Sequence, residues 1–219
     1  MGWFERIADR LSAVDGPTVE LGAGSGGFKD FLPSVVATDI VETAWTDRVA
    51  DAERLPFEDG SVANVVMVDV LHHLPDPAVA LAEMGRALAP GGRVVMVEPY
   101  CSPVSGLFYR HLHHEGADPH ADLEGPAAQS SRDPFDANNA LPTLLFWKQP
   151  QLVEQWAPSL RITERERFGW LVYPLSGGFT KPQLVPGALL GPALAVERAL
   201  APLLARVLAF RCLVVLERQ

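Results

Sequence analysis

Short apolar runs alternate with amphipathic segments over the first hundred residues. Residues 62–68 are apolar almost throughout, as is usual for a strand buried in a parallel sheet, whereas residues 77–88 have the apolar spacing of a helix. The same patterns predict strands at 18–21, 34–38 and 93–98, and short helices at 3–14 and 28–32. The proline and two glycines at 90–92 are expected to end the helix predicted at 77–88. Strands and helices that alternate with short links predict an α/β fold with a mostly parallel sheet.

This alternation stops after Pro99 and returns at residue 160. Residues 101–158 contain four of the six histidines and a polar stretch, and their apolar residues are too few for a core of their own. We therefore expect an insertion that forms a lid over the substrate, within one domain. The expected domain spans residues 1–219, with its core in 1–100 and 159–219 and further strands at 160–173 and 209–216.

The C-terminal region, residues 184–215, is strongly apolar. Prolines and charged residues interrupt it, so it does not satisfy the requirement of about 18 mostly apolar residues for a membrane-spanning helix. Residues 184–209 predict a helix that is apolar around most of its circumference and kinked at Pro202. One face must pack on the sheet. The other face needs a cover, for which the lid, a second subunit of a homodimer and a peripheral membrane contact are open alternatives.

Charge and cysteine content exclude several classes of protein. The formal net charge of −9 at pH 7 repels phosphate backbones, which argues against a nucleic-acid partner. Cys101 and Cys212 lie far apart and form no CxxC pair, which excludes a disulfide scaffold and a zinc ribbon. The chain starts without a basic stretch followed by apolar residues, so no secretory signal is expected. Reduced thiols then predict a cytoplasmic location.

A glycine-rich motif, Glu20-Leu21-Gly22-Ala23-Gly24-Ser25-Gly26, follows the first predicted strand. A strand that leads through a glycine turn into a helix exposes backbone N–H groups to a ligand. The motif alone is ambiguous, because Gly22, Gly24 and Gly27 also satisfy the dinucleotide pattern G-x-G-x-x-G, and Asp39 could hold a ribose in either case. A tight turn without any ligand is the third alternative.

Three further motifs resolve this ambiguity. They are DAERLPF at residues 51–57, VVMVDVLHHLPD at 65–76 and LAPGGR at 88–93. In this order and spacing, residues 19–98 resemble the class I S-adenosylmethionine-dependent methyltransferases, the type 11 group in particular. The resemblance implies a Rossmann-like sheet of seven strands, mostly parallel with the last strand antiparallel, and a lid inserted after strand 5. It also implies S-adenosylmethionine as cofactor and S-adenosylhomocysteine as product.

The resemblance also implies roles for individual residues. The glycines let the loop pass under the methionine part of the cofactor, and Glu20 faces its amino end. Asp39 accepts both ribose hydroxyls, and Asp51 takes the adenine amino group. Trp45 either covers part of the adenine or is a core tryptophan. The complete set of expected cofactor-binding residues is Glu20, Gly22, Ala23, Gly24, Gly26, Asp39, Ile40, Asp51, Ala52, Asp69 and His72.

Histidines are the candidates for proton transfer. Methyl transfer from a sulfonium needs a base only when the acceptor is a hydroxyl or a protonated amine, and a histidine suits that task. We expect the base among His73, His111 and His114. The expected acceptor-binding residues are Tyr100, Tyr109, His113 and Glu115. This cluster could bind a metal, but its spacing matches no standard motif, so we predict no metal site. A structural histidine pair and an ordinary polar lid are the alternatives.

The acceptor class follows from the end of the fourth strand. Its Asp69-Val70-Leu71-His72 sequence differs from the Asn/Asp-Pro-Pro-Tyr/Phe motif of nucleic-acid and amide N-methyltransferases. Together with the acidic charge, this favours O- or N-methylation of a small-molecule, glycan or lipid-linked acceptor. One alternative is a cofactor-binding module without catalysis. Another is a nicotinamide-dependent oxidoreductase, which only the glycine loop supports.

Overall fold

One sheet of seven strands organises the part of the chain that the structure describes, in the order β3-β2-β1-β4-β5-β7-β6. The structure is a computed structural model that describes residues 2–124, 137–177 and 182–219. The strands are β1 (Thr18–Leu21), β2 (Val36–Asp39), β3 (Arg48–Val49), β4 (Val62–Val68), β5 (Leu88–Pro99), β6 (Leu160–Phe168) and β7 (Arg211–Arg218). The first five pair in parallel, and β7 is antiparallel to both β5 and β6. The predicted fold class is therefore confirmed.

Helices cover both faces of this sheet. They are α1 (Trp3–Ala8), α2 (Gly27–Phe31), α3 (Pro77–Ala87), α4 (Pro103–His111), α5 (Leu141–Thr143), α6 (Gln151–Trp156), α7 (Val172–Leu175) and α8 (Leu190–Leu208). The Asp76 side chain accepts hydrogen bonds from the N–H groups of Ala78 and Val79, and Pro77 occupies the first turn, so α3 begins where these residues favour it. The expectation that residues 90–92 separate helix from strand was wrong, because β5 already begins at Leu88 and pairs there with Val62.

The central strands are buried because the helices cover both of their faces. In β4, β5 and β7 the side chains of Val65, Met96 and Val214 are completely inaccessible. The edge strand β6 instead has four consecutive charged residues, 164–167, and its Glu166 and Glu164 pair with Arg6 of α1 and with Arg10, which follows that helix. These ion pairs attach the N-terminal helix to the edge of the sheet next to the cavities described below.

The crossover between β2 and β3 is as short as the sequence predicts. No helix forms in residues 40–47, and β3 has only two residues. The Asp47 carboxylate accepts a hydrogen bond from the backbone N–H of Ala37 at 2.8 Å and forms an ion pair with Lys29. This carboxylate holds the short loop against β2, and the adjacent cavity stays without a helical cover.

The structure corrects the extent of the predicted lid. Leu145, Phe146 and Leu152 are fully or almost fully buried and belong to the main hydrophobic core, and α6 packs against α3. Residues 141–157 are thus part of the core, contrary to the boundaries 101–158 expected for the insertion. Within the remainder, residues 125–136 lie outside the described residues. The lid itself stays a prediction.

Helix α8 is the longest helix of the described chain. The Glu197 carboxylate is buried and accepts hydrogen bonds from the backbone N–H groups of Gly169, Leu171 and Val172 at 2.7–2.9 Å. These bonds hold α8 against the turn after β6. By length and composition alone, Gly187–Leu208 is long and apolar enough to cross a membrane, with only 11% of its most apolar window buried. The expectation that this region fails that test was therefore wrong.

The assignment of residues 141–157 to the core can be tested by stability. Leu145→Ala is expected to lower the free energy of unfolding by about 2–5 kcal/mol, because it leaves a cavity among fully buried neighbours. Leu112→Ala is the matched control, since Leu112 is 73% exposed and its loss is expected to change stability by less than about 0.5 kcal/mol. Urea denaturation measures both variants. Equal stabilities would place Leu145 in a loosely attached lid.

Candidate functional site

The loop after β1 has a backbone that only glycine adopts readily. Gly22, Gly24 and Gly26 have φ angles of 67°, 51° and 76°. A Cβ on Gly22 would lie 2.5 Å from a Val70 methyl group, and one on Gly26 would lie 2.9 Å from the Cβ of Trp45. Trp45 therefore packs on the glycine loop. The close approach leaves the backbone of the loop bare on its open side, where nothing lies within 4 Å of a Cβ built on Gly24.

Asp39 ties this loop to the end of β2. One carboxylate oxygen accepts a hydrogen bond from the N–H of Gly24 and the other from the N–H of Val41, each at 3.0 Å. The Ala23 N–H donates to the carbonyl of Thr38 at 2.9 Å. The loop and the strand end are thus fixed relative to one another, although each carboxylate oxygen keeps a lone pair for a ligand hydroxyl.

A cavity lies beside the loop at the carboxyl ends of the parallel strands, where open α/β sheets bind ligands. We call it the cofactor cavity. Its lining residues are Leu21, Gly22, Asp39, Ile40, Ala50, Asp51, Ala52, Glu53, Val70, His73, Leu74 and Pro75. The structure therefore brings together five residues that the sequence assigns to the cofactor, which are Gly22, Asp39, Ile40, Asp51 and Ala52.

Glu20 contributes a buried carboxylate next to the same loop. Its Oε2 atom is inaccessible and has no hydrogen-bond partner among the described residues. Burial, and secondarily the charge of Asp39, raises the pKa of Glu20 to about 7. A buried acceptor without a donor is costly, so this oxygen fits a ligand that presents an N–H group or a positive charge.

A second cavity lies on the other side of His73, and we call it the histidine cavity. Its lining residues are Asp69, His72, His73, Pro99, Tyr109, His113, His114, Glu115, Asn139, Tyr173 and Arg211. The Glu115 carboxylate lies within 3.5–3.8 Å of a ring nitrogen of each of four histidines: His72, His73, His113 and His114. The contact with His72 is the main cause that lowers the pKa of Glu115 to about 2, and the contacts with His73 and His113 contribute less.

His72 is fixed by a second buried carboxylate. Its Nδ1 atom lies 2.7 Å from the Glu98 carboxylate, which also accepts hydrogen bonds from the N–H groups of Val70 and Leu71. Burial disfavours the charged form of His72, but the interactions with Glu98 and Glu115 are stronger than this effect and raise the pKa of His72 to about 9. The sequence assigns His72 to the cofactor. In the structure His73, and not His72, lines the cofactor cavity.

An ion pair between Asp69 and Arg211 forms another part of the wall of the histidine cavity. Asp69 has a φ of 59°, which is unusual for a residue other than glycine. Arg211 is buried, and its guanidinium lies 4.5 Å from the ring centre of Trp3 and 5.4 Å from that of Tyr173. Asp69 thus lines the histidine cavity, although the sequence assigns it to the methionine end of the cofactor.

Two of the predicted residues lie elsewhere. His111 is exposed at the end of α4 and does not line the histidine cavity. Tyr100 is buried, with its ring centre 5.0 Å from that of Trp147, and it packs in the core instead of lining this cavity. Tyr109, His113, His114 and Glu115 do line it, and the roles expected for them stay predictions.

The sequence analysis missed two functional residues, Glu98 and Arg211. Each is a charged residue that directly adjoins the buried apolar run of a central strand, 94–97 in β5 and 212–216 in β7. Such a residue must find a partner, which is the signal that could have identified both.

A metal ion has candidate ligands here. The donor atoms of His72, His73 and Glu115 lie within 4.8 Å of one another. However, Glu98 already pairs with His72, and the positive charge of His72 also compensates Glu115. The absence of a metal site stays a prediction.

The His72–Glu98 pair predicts a dependence of stability on pH. A histidine in an unfolded chain has a pKa near 6.5, whereas His72 in the folded protein has one of about 9. Its contribution to stability is therefore complete below about pH 6.5 and is lost as the pH rises through about 9. Relative to His72→Gln, the wild type is expected to lose its advantage in unfolding free energy over this window. A constant difference from pH 6 to 10, measured by denaturation, would show that His72 is not charged.

Comparison with known proteins agrees with this geometry. The family model described as a methyltransferase domain matches residues 19–96. A demethylmenaquinone methyltransferase from Mycolicibacterium vanbaalenii is 35% identical over 111 residues, which are 48% of this chain and 46% of that protein. The chain spans less than half the length of the curated relatives that it matches.

Solved structures have the same fold. An S-adenosylmethionine-dependent methyltransferase from Mesorhizobium loti has a TM-score of 0.53 and 19% identity, covering 98% of this chain and 96% of that one. Geranyl diphosphate C-methyltransferase from Streptomyces coelicolor, solved with S-adenosyl-L-homocysteine, has a TM-score of 0.55 and 15% identity, covering 99% of this chain and 75% of that one. The family uses S-adenosylmethionine as its cofactor. Residues 19–96 therefore match the methyltransferase domain family, and the chain has the fold of these S-adenosylmethionine-dependent methyltransferases.

Proposed function

We propose that this chain transfers a methyl group from S-adenosylmethionine to an oxygen atom of a small hydroxylated molecule bound in the histidine cavity. One observation carries the proposal: His73 lines both the cofactor cavity and the histidine cavity. A group in that place can act on an acceptor that meets the methyl group between the two cavities.

The residues of the cofactor cavity fit the parts of the cofactor. Asp39 suits the ribose hydroxyls, and Asp51 together with the Ala52 N–H suits the adenine edge. Glu20 does not line this cavity, but its unpartnered oxygen lies next to the glycine loop and suits the ammonium group. S-adenosylmethionine, when bound, supplies a methyl group on a sulfonium whose departure leaves a neutral thioether, so no acid is needed. The task of the protein is then to align the acceptor and to take up its proton.

His73 is suited to accept that proton. Burial and the neighbouring cationic His72 lower the pKa of His73, so its imidazole is neutral at pH 7. Its Nε2 atom lies 3.7 Å from Glu115, whose negative charge stabilises the imidazolium that forms. The oxygen thereby keeps the electron pair that bonds to the methyl carbon. His114 is the other candidate that lines this cavity, but it is exposed. Water that reaches an exposed base permits side reactions, so His114 is less suited to this role.

The proposed acceptor class is supported by the cavity walls and by relatives. Tyr109, Tyr173 and Arg211 give the histidine cavity aromatic and cationic surfaces, which suit a small polar molecule with a planar part. Two of the compared proteins, the demethylmenaquinone and geranyl diphosphate methyltransferases, carry the names of small-molecule acceptors. The test of function is incubation of the purified protein with S-adenosylmethionine and a panel of hydroxylated compounds. Mass spectrometry should detect a product heavier by one methylene and an equal amount of S-adenosylhomocysteine.

His73→Gln tests the proposed base. The variant is expected to lower kcat by about 10²–10⁴-fold while leaving the affinity for S-adenosylhomocysteine within a few fold. In the wild type, kcat/KM should fall on the acid side of a pKa below 6.5, and this decrease should vanish in the variant. His111→Gln is the matched control and should retain full activity, because His111 lies away from both cavities. Unchanged kcat in His73→Gln would remove His73 from the mechanism.

Glu20→Gln tests the ammonium contact. Because the pKa of Glu20 is about 7, the affinity for S-adenosylhomocysteine should rise from pH 6.0 to 7.5 as the carboxyl group ionises. Binding near pH 6.5 should release a proton, which calorimetry in buffers of different ionisation enthalpy detects. The variant should bind with about 1.5–3 kcal/mol less free energy and without proton release. Proton release that persists in Glu20→Gln would assign the titration to another group.

A further inference from the structure

Helix α8 presents a stripe of exposed apolar side chains. Val196, Leu200, Leu203 and Val207 follow the i, i+4, i+7, i+11 spacing of one helix face, and each is between 38% and 74% exposed. Leu189 continues the same face one heptad earlier and is 54% exposed. Large aliphatic side chains in such a row are unusual on a surface that meets only water.

The neighbouring helix α4 extends this surface. It packs against α8, so part of the inserted segment does cover that helix, but the stripe stays exposed. On α4 the side chains of Val104 and Leu107 are 42% and 59% exposed, and Leu112 follows directly after the helix. We call the exposed apolar residues of α4 and α8, together with Leu112, the apolar face.

The apolar face cannot turn inward or leave the domain without breaking strong contacts. The Glu197 carboxylate holds α8 through three backbone hydrogen bonds, and the Nε1 of Trp170 donates to the Glu197 carbonyl at 3.2 Å. Ala205, on the side of α8 away from the stripe, is buried. α8 is therefore docked along the domain, an arrangement that suits a helix lying on a membrane and not one crossing it.

Charge identifies what covers the apolar face. The chain carries a formal charge of −9, yet every exposed charged residue of α4 and α8 is basic: Arg110, Arg198 and Arg206. The sole acidic residue of these two helices, Glu197, is buried. By helical spacing Arg206 borders the stripe, whereas Arg198 lies on the opposite side of α8. A symmetric dimer through this face would bring copies of Arg206 together without an acid on either helix to pair with them. A surface of anionic lipid complements both the apolar side chains and the positive charge.

We infer that the apolar face of α4 and α8 is a peripheral membrane-binding surface, with α8 lying in the plane of an anionic lipid surface. The contact is independent of the proposed methyl transfer and requires no bound cofactor. It also has a consequence for substrates, because Leu194 and Glu197 of α8 line a further cavity that includes Asp69 and Tyr173 of the histidine cavity wall. The same helix thus forms part of the acceptor side of the molecule.

Vesicle sedimentation of the full chain tests the inference. The protein should sediment with vesicles of phosphatidylcholine containing phosphatidylglycerol, bind vesicles of phosphatidylcholine alone more weakly, and lose the difference at high salt. Leu203→Asp should weaken binding by about tenfold or more, since it removes a leucine from the apolar face. Arg206→Gln should reduce the preference for phosphatidylglycerol. Val79→Asp is the matched control, because Val79 is 45% exposed on α3, and it should bind like the wild type.

Other results would overturn the inference. Wild-type protein that stays in the supernatant with both kinds of vesicle excludes a membrane surface. Equal binding of wild type and Leu203→Asp, with thermal unfolding showing both folded, places any lipid contact elsewhere. A wild-type dimer that ignores vesicles, and that Leu203→Asp converts to a monomer in light scattering, would make the apolar face a contact between two copies of this chain.

Discussion

The buried carboxylate of Glu98 fixes the geometry on which both cavities depend. It lies at the end of β5 and is completely inaccessible, so it must be satisfied by donors in its surroundings. Two backbone N–H groups and the imidazole of His72 supply them. These three donors are consecutive residues after β4, and binding them sets the course of the chain in the turn that follows. His73, the next residue, is thereby placed between the cofactor cavity and the histidine cavity.

The same physical device recurs at α8. Glu197 is also a buried carboxylate, and it also binds backbone N–H groups of one turn, those of Gly169, Leu171 and Val172 after β6. A charged acceptor strengthens each of these bonds relative to a neutral one, and the absence of water makes their loss costly. In both places a contact between residues that are distant in sequence, and not a local conformational preference, determines the conformation of a turn. One such turn holds the proposed base, and the other holds the helix that carries the apolar face.

Sequence patterns predicted the central sheet and the cofactor side of the site because both depend on local rules. A strand covered on both faces must be apolar throughout, which identifies β4, and a loop that needs positive φ angles identifies itself by Gly22, Gly24 and Gly26. The acceptor side depends instead on contacts between distant residues. Arg211 meets Asp69 across 142 positions, and no spacing rule connects them. His111 and His113 are close in sequence, but His113 lines the histidine cavity and His111 is exposed. This difference depends on how α4 packs, which its own sequence does not determine.

The two sides of the molecule also differ in what stabilises a charge. On the cofactor side, Glu20 and Asp39 lie close together at the loop, with no cationic side chain of the described residues paired to Glu20, so their repulsion and the burial of Glu20 favour a cationic ligand. On the acceptor side, Asp69 has the cation of Arg211, whereas Glu98 and Glu115 share that of His72. A positively charged donor thus completes the first cavity, and a proton taken up by His73 completes the second, because it balances the remaining charge of Glu115. A neutral acceptor that gives its hydroxyl proton to His73 therefore leaves no unpaired charge there.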